Sequence, residues 1–176
     1  MLYKEFYAEL GKLLYAVADV DKIITQQEKK ELQIIVKSEL VPFEVLVDEF
    51  GTDVAYYSEF EFEFSDEQIY DSDMAFESFI DFINEHHEAI NLNMKNLCIR
   101  VAEEIALSYY KGNNEEKIIL NKLIDRLNSI DIRKNNNPYL EESNFSTNEL
   151  DMNIKTVDDL VEIEEEVLYY DADYLD

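Results

Sequence analysis

Three glycines and two prolines are all that punctuate this 176-residue chain, and that scarcity narrows the folds open to it more than any motif does. Loop-rich sandwiches and nucleotide-binding α/β folds need glycine wherever the backbone turns left-handed or approaches a phosphate. Helices joined by short connections do not, so the expected class is all-α. A hydrophobic content of 47% suffices for one core of ordinary size, which gives one domain followed by a tail.

Apolar spacing places the helices. Leu2, Phe6, Leu10, Leu13, Leu14 and Val17 recur at intervals of three and four, predicting an amphipathic helix from residue 2 to about 19. A second begins near Thr25, where Thr25-Gln-Gln-Glu28 reads as a capping box. Its buried face is Leu32, Ile35, Val36 and Leu40, and Pro42 is expected to interrupt it. Residues 43–70 are ambiguous. Phe60-Glu-Phe-Glu-Phe64 alternates like a strand, while Val54, Tyr57, Phe60, Glu61 and Phe64 fit a helix. Helix is favoured, because a lone strand finds no pairing partner elsewhere in the chain. Further helices are expected over 72–88, from Leu92 to Tyr110, and from about Asn113 to Ile130.

A degenerate repeat emerges at an offset of 88 residues: Val17-Ala18 falls on Ile105-Ala106, Thr25 on Asn113, Glu28-Lys29 on Glu116-Lys117, and Leu32 and Ile35 on Leu120 and Leu123. Each half reads as helix, tight connection, capped helix. The expected architecture is a compact bundle of six to seven helices over residues 1–130, built from two degenerate helical hairpins. Residues 131–176 form an acidic linker and tail. Within the tail, residues 156–170 carry a capping box at Thr156 and an apolar stripe of Leu160, Ile163 and Val167. A short docking helix and a disordered acidic tail are the two alternatives there.

Charge excludes several function classes. The net charge is -26, and between Lys37 and Lys95 sixteen acidic residues stand without a single Lys or Arg. Such a surface repels nucleic-acid backbones and anionic membranes, so the expected partner is a cation or a protein with a basic surface. One cysteine, Cys98, precludes an intramolecular disulfide and fits a reducing compartment. With no signal-peptide core at the N-terminus and no apolar run as long as a membrane span, a cytoplasmic protein without membrane insertion is expected.

The chemistry concentrates at one junction, where the first helix runs directly into Asp19 and Asp21. A helix C-terminus carries partial negative charge, so each carboxylate there is unfavourable by about 0.3–1 kcal/mol unless a cation offsets it. Either Lys22 or a metal ion does so. Asp19 and Asp21, with Glu28 in the next helix, offer three oxygens to a hard divalent cation, Ca²⁺ or Mg²⁺. An EF-hand beginning at Asp19 fails, since Ile24 stands where the loop needs Gly and Lys30 where it needs Glu. Glu28 and Glu116 each lie three residues after a cap candidate, which makes capping their first explanation, whereas Asp19 and Asp21 have Leu107 and Tyr109 as counterparts.

Other candidates reduce to structure. Adjacent His86 and His87 on one helix point about 100° apart and do not share an ion. Cys98 beside Leu97 reads as a small core residue. Phosphate loops, nucleophile elbows and zinc-protease motifs are missing from the sequence, and no catalytic residue is assigned.

Leu14-Tyr-Ala-Val-Ala18, then Asp21, Ile24 and Glu28, resembles the pattern Ala-x-x-Asp-Gly-x-Ile-x-x-x-Glu of the TerB-like domain, known from tellurite-resistance proteins and a DnaJ-type co-chaperone. The second pass, Ala102 to Glu116, is similar to that family's internal duplication. The resemblance covers residues 2–128. It implies an all-helical bundle with an acidic patch associated with divalent-metal binding, in stress-response or phage-defence systems that act through partners. By position Asp21 takes the motif Asp and Glu28 the motif Glu; Asp19 is an extra carboxylate, Lys22 replaces the motif Gly, and Tyr109 replaces the second Asp. The expected function is therefore a non-enzymatic TerB-like module that binds a divalent cation through Asp19, Asp21 and Glu28, acts as a protein-interaction adaptor, or does both. The alternative is an acidic decoy or immunity-type protein that captures a basic partner.

Overall fold

A computed structural model describes residues 2–43, 46–108 and 114–131. The linker, the tail with its 156–170 segment, Tyr109–Tyr110 and Asn113 lie outside these residues. The described chain is all-α, a compact bundle in which six helices have ten or more residues. With the additional single turn α3 (Val41–Phe43), the helical elements in chain order are α1 (Leu2–Ala18), α2 (Gln26–Ile35), α3, α4 (Tyr56–Glu67), α5 (Ser72–Glu85), α6 (Leu92–Leu107) and α7 (Asn114–Ser129).

Helix α1 is the centre of the bundle. Its N-terminal half is amphipathic as expected, but every residue from Leu13 to Ala18 is buried. A helix apolar all round must be surrounded, and α1 packs on α4, α5, α6 and α7. Its closest approach is to α4. A Cβ on Gly11 would lie 2.4 Å from the Ser58 carbonyl oxygen, so the two backbones meet where one residue lacks a side chain and the other carries a small one.

That contact corrects the face expected for α4. Ser58, Phe62 and Ser65 are its buried positions, and Phe60 and Phe64 point outward. The hydrophobic count favoured the aromatic positions, whereas the approach of Gly11 admits only a small residue opposite it. The helix is also shorter than the 43–70 segment. Residues 46–55 form a tight loop instead, with one antiparallel bridge between Val47 and Asp53. Asp48 Oδ1 accepts from the Phe50 and Thr52 N–H groups at 2.9 Å each, and Gly51 supplies φ +80°. Carboxylates and glycine at such spacing divert the backbone from helix into turns.

Pro42 does not stop the second helix where expected. Over Val36–Leu40 the turn widens, with the Val41 N–H donating to the Val36 carbonyl, and α3 continues through Pro42 to Phe43. A widened turn accommodates a residue that has no N–H and whose ring crowds the preceding turn. The remaining starts follow side-chain caps. Asp71 and Asn91 accept from the Met74 and Met94 N–H groups, each at 2.9 Å.

The two segments related by the 88-residue offset come together. α7 packs on α6 and on the turn after α1, and α2 packs on α6. Val17, Ala18, Ile105 and Ala106 are all buried, as are Ile35 and its counterpart Leu123.

Candidate functional site

Beyond Ala18 the chain takes a single 3₁₀ turn, Asp19–Asp21, closed by Lys22 at φ +66° with its N–H donating to the Asp19 carbonyl at 3.0 Å. Lys22 Nζ then reaches Asp19 Oδ2 at 3.0 Å and Ser72 Oγ. The cation required at this helix end is thus the chain's own for Asp19. The bond to Asp19 holds the Lys22 ammonium above its ordinary pKa. Burial, followed by the charge of Asp19, pushes the Tyr15 hydroxyl up to about 12, and that hydroxyl donates to the Tyr70 carbonyl at 2.6 Å.

Asp21 Oδ1 accepts from the Ile23 N–H at 3.0 Å. Glu28 completes the capping box: its Oε2 accepts from the Thr25 N–H at 2.6 Å, and its own N–H donates to Thr25 Oγ1 at 3.2 Å. The residue is only 2% exposed. Burial raises its carboxyl above the usual range, the bonds to Thr25 pull the other way, and the charge of Asp21 adds to the rise. Asp21 and Glu28 therefore stand within electrostatic reach of each other. As arranged, the three carboxylates serve an ion pair, a turn and a cap, whereas Ca²⁺ or Mg²⁺ needs six or more converging oxygens. Among the described residues no group of three or more His, Cys, Asp or Glu side chains is placed to hold a metal.

Glu116, the counterpart of Glu28, is 3% exposed in the first turn of α7. Each half thus buries one glutamate at the start of its second helix; capping is shown for Glu28, and the cap expected for Glu116 at Asn113 lies outside the described residues.

A cleft of about 300 Å³ is lined by Val20, Asp73, Glu115, Ile118, Ile119 and Lys122. Lys122 is engaged within it, 3.1 Å from Glu77 and 4.2 Å from the centre of the Phe76 ring. A second hollow, about 340 Å³, lies between the start of α1 and the 46–54 loop. Beside it Tyr57 donates to Asp48 Oδ2 at 2.8 Å, with Lys4 Nζ 4.3 Å above the Tyr57 ring.

Between Glu39 and Glu88 every described carboxylate-bearing residue is at least partly exposed. Cations reach Glu39, Asp66 and Glu77. These ion pairs engage three of the fifteen described carboxylates in the segment, so the surface keeps most of its negative charge.

One pair escaped sequence reasoning because its members lie far apart in the chain. Burial, then a hydrogen bond to Glu39 and the Glu39 charge, raise the Glu104 carboxyl to about 7. Arg100 opposes the rise from its ion pair with Glu39 at 2.7 Å. Folding therefore binds a proton that the unfolded chain releases near the ordinary carboxylate pKa. The stabilisation is complete below that value and is lost as pH rises to about 7. Chemical denaturation of Glu104→Gln should show a flatter stability profile from pH 5 to 8, with an advantage on the order of 1 kcal/mol over the parent at the upper end.

His86 stacks on Phe82 at 4.4 Å, and the Nδ1 atoms of His86 and His87 face different carbonyls, those of Phe82 and Asn84. Both histidines follow the end of α5 at Glu85 instead of sharing a helix over 72–88, so the helical 100° separation expected for them does not apply. Cys98 is buried, and burial pushes its thiol well above the usual range. Among the described residues no helix is long and apolar enough to cross a membrane.

Comparison with protein-family models, curated proteins and solved structures found no match. Functional assignment therefore rests on the chain's own chemistry.

Proposed function

We propose that this chain is a non-catalytic helical adaptor of TerB-like type, whose acidic surface captures a cationic protein partner in a stress-response system. One observation carries the proposal: the Glu39–Glu88 segment keeps its described carboxylates at the surface while cations engage Glu39, Asp66 and Glu77. An unneutralised field of one sign steers an oppositely charged protein and rejects nucleic acid. The TerB-like element draws support from the paired burial of Glu28 and Glu116 at corresponding positions. Asp19, Asp21 and Glu28 then act first as architecture, fixing the α1–α2 junction. A decoy or immunity role uses the same surface and differs only in the identity of the captured protein. The lone buried thiol fits a reducing compartment, and the cytoplasm is the location we assign.

A labelled oligolysine peptide serves as the probe. Combining Glu63→Gln, Glu67→Gln, Asp81→Asn and Glu85→Gln should weaken its binding by about tenfold at low salt, measured by fluorescence anisotropy. Unchanged affinity would remove the acidic surface from the function.

A further inference from the structure

With Ser58, Phe62 and Ser65 turned to the core, helical geometry sets Phe60 and Phe64 on the opposite side of α4. The two residues are 51% and 57% exposed, and Tyr57 meets Phe60 edge-on at 5.8 Å. The result is an aromatic ridge along the outer face. Beside it Glu59, Glu63 and Glu67 recur every four residues. Like charges at that spacing weaken a helix, and among the described residues no cation forms an ion pair with these three.

The end of α4 adds a third feature. The Tyr70 N–H donates to the Ser65 carbonyl at 2.9 Å and the Ile69 N–H to the Asp66 carbonyl at 3.1 Å, a Schellman ending. Its left-handed position, φ +52°, holds Ile69, which is 88% exposed. Glycine adopts that conformation freely, whereas a β-branched residue is strained there. Stability of the fold explains neither the exposed rings, nor the like-charged row, nor a strained isoleucine in water.

We propose that the outer face of α4 docks an amphipathic basic helix of a partner protein. Apolar side chains of that helix pack over Phe60, Phe64 and Ile69, and its Lys or Arg row pairs with Glu59, Glu63 and Glu67. Both rows on α4 advance by one helical turn per step, the repeat that a partner helix presents along its own length. Charge selects the occupant. The chain's own segment 141–176 carries thirteen acidic residues and one Lys, and a second copy would bring the same glutamate row; both are repelled.

This assignment rests on the acidic-adaptor reading, and one experiment separates the two. A labelled Leu/Lys peptide of about eighteen residues, patterned as an amphipathic helix, is compared with a scrambled peptide of equal composition by anisotropy. The patterned peptide should bind at least about tenfold more tightly than the scrambled one, and Phe60→Ser with Phe64→Ser should abolish that margin with helicity retained by circular dichroism. Ile69→Gly should raise the melting temperature yet weaken the patterned peptide by about threefold, a pairing that a purely structural residue does not produce. Equal binding of both peptides, or a serine double variant that binds like the parent, overturns the α4 surface and leaves the acidic adaptor standing. Binding of neither peptide overturns both.

Discussion

Gly11→Ala should destabilise the fold far more than the same change at Gly51. Two effects compete. Alanine is the better helix former by about 1 kcal/mol, which alone would stabilise α1. Against that, the new Cβ would meet the Ser58 oxygen at 2.4 Å, its Cα at 2.9 Å and its carbonyl carbon at 3.0 Å. All three are backbone atoms, so no rotamer change relieves the overlap and α4 must shift as a unit. That shift opens the packing of Tyr15 against Phe62, now edge-on at 6.0 Å, and of the apolar residues around them. Overpacking of this kind costs about 1–3 kcal/mol or more, and we expect a net loss of about 2–3 kcal/mol by urea denaturation. Ser58→Gly should fail to rescue it, because the obstructing atoms remain. Gly51→Ala makes a useful comparison: φ is +80° but nothing lies within 4 Å of the new Cβ, so only backbone strain of about 1 kcal/mol is expected.

Glu28 yields the second large effect, and its two replacements should diverge. Glu28→Ala removes the acceptor of the Thr25 N–H and so breaks the side-chain arm of the capping box, while the backbone N–H of residue 28 still donates to Thr25 Oγ1; we expect a loss of about 2 kcal/mol, chiefly from the unpaired Thr25 amide. Glu28→Gln keeps an oxygen at the same place and carries no charge to desolvate, so its stability near neutral pH should match or exceed the parent's. The pH dependence follows the same logic. Because burial raises the folded carboxyl's pKa above the unfolded one, stability from this group is present below the ordinary carboxylate pKa and declines as pH rises through the folded value. Glu28→Gln should lack that decline. A carboxylate needed chiefly as a metal ligand would behave differently, since the amide would then cost metal-dependent stability.

How far the chain discloses its fold differs by element, for physical reasons. α5, α6 and α7 follow local periodicity, and the Thr25 box forms between residues three apart; both are nearest-neighbour properties of a helix. The orientation of α4 is not local. Its aromatic spacing favours one face, and the backbone of Gly11 on another helix selects a different one. Pro42 misleads for a related reason, since a widened turn is a second way to house a proline and only packing decides between the two. At the site, the excess of carboxylates was legible, and so was the need for a cation near Asp19. Lys22 was one of the two cations expected there, but its left-handed backbone and its second bond, to Ser72 of α5, were not legible. The Glu39–Glu104 pair joins α6 to the widened turn and leaves no mark in either segment alone.

The central claim is that the exposed carboxylates act on a cationic protein through charge. Anisotropy titration of the labelled oligolysine peptide, with EDTA and then with added Ca²⁺ or Mg²⁺ at fixed ionic strength, tests it most directly. We predict a Kd that rises at least about tenfold between about 50 and 300 mM NaCl and does not change with chelator. An affinity indifferent to salt, or one abolished by EDTA and restored by either cation, would contradict the account, the latter in favour of a metal-dependent function.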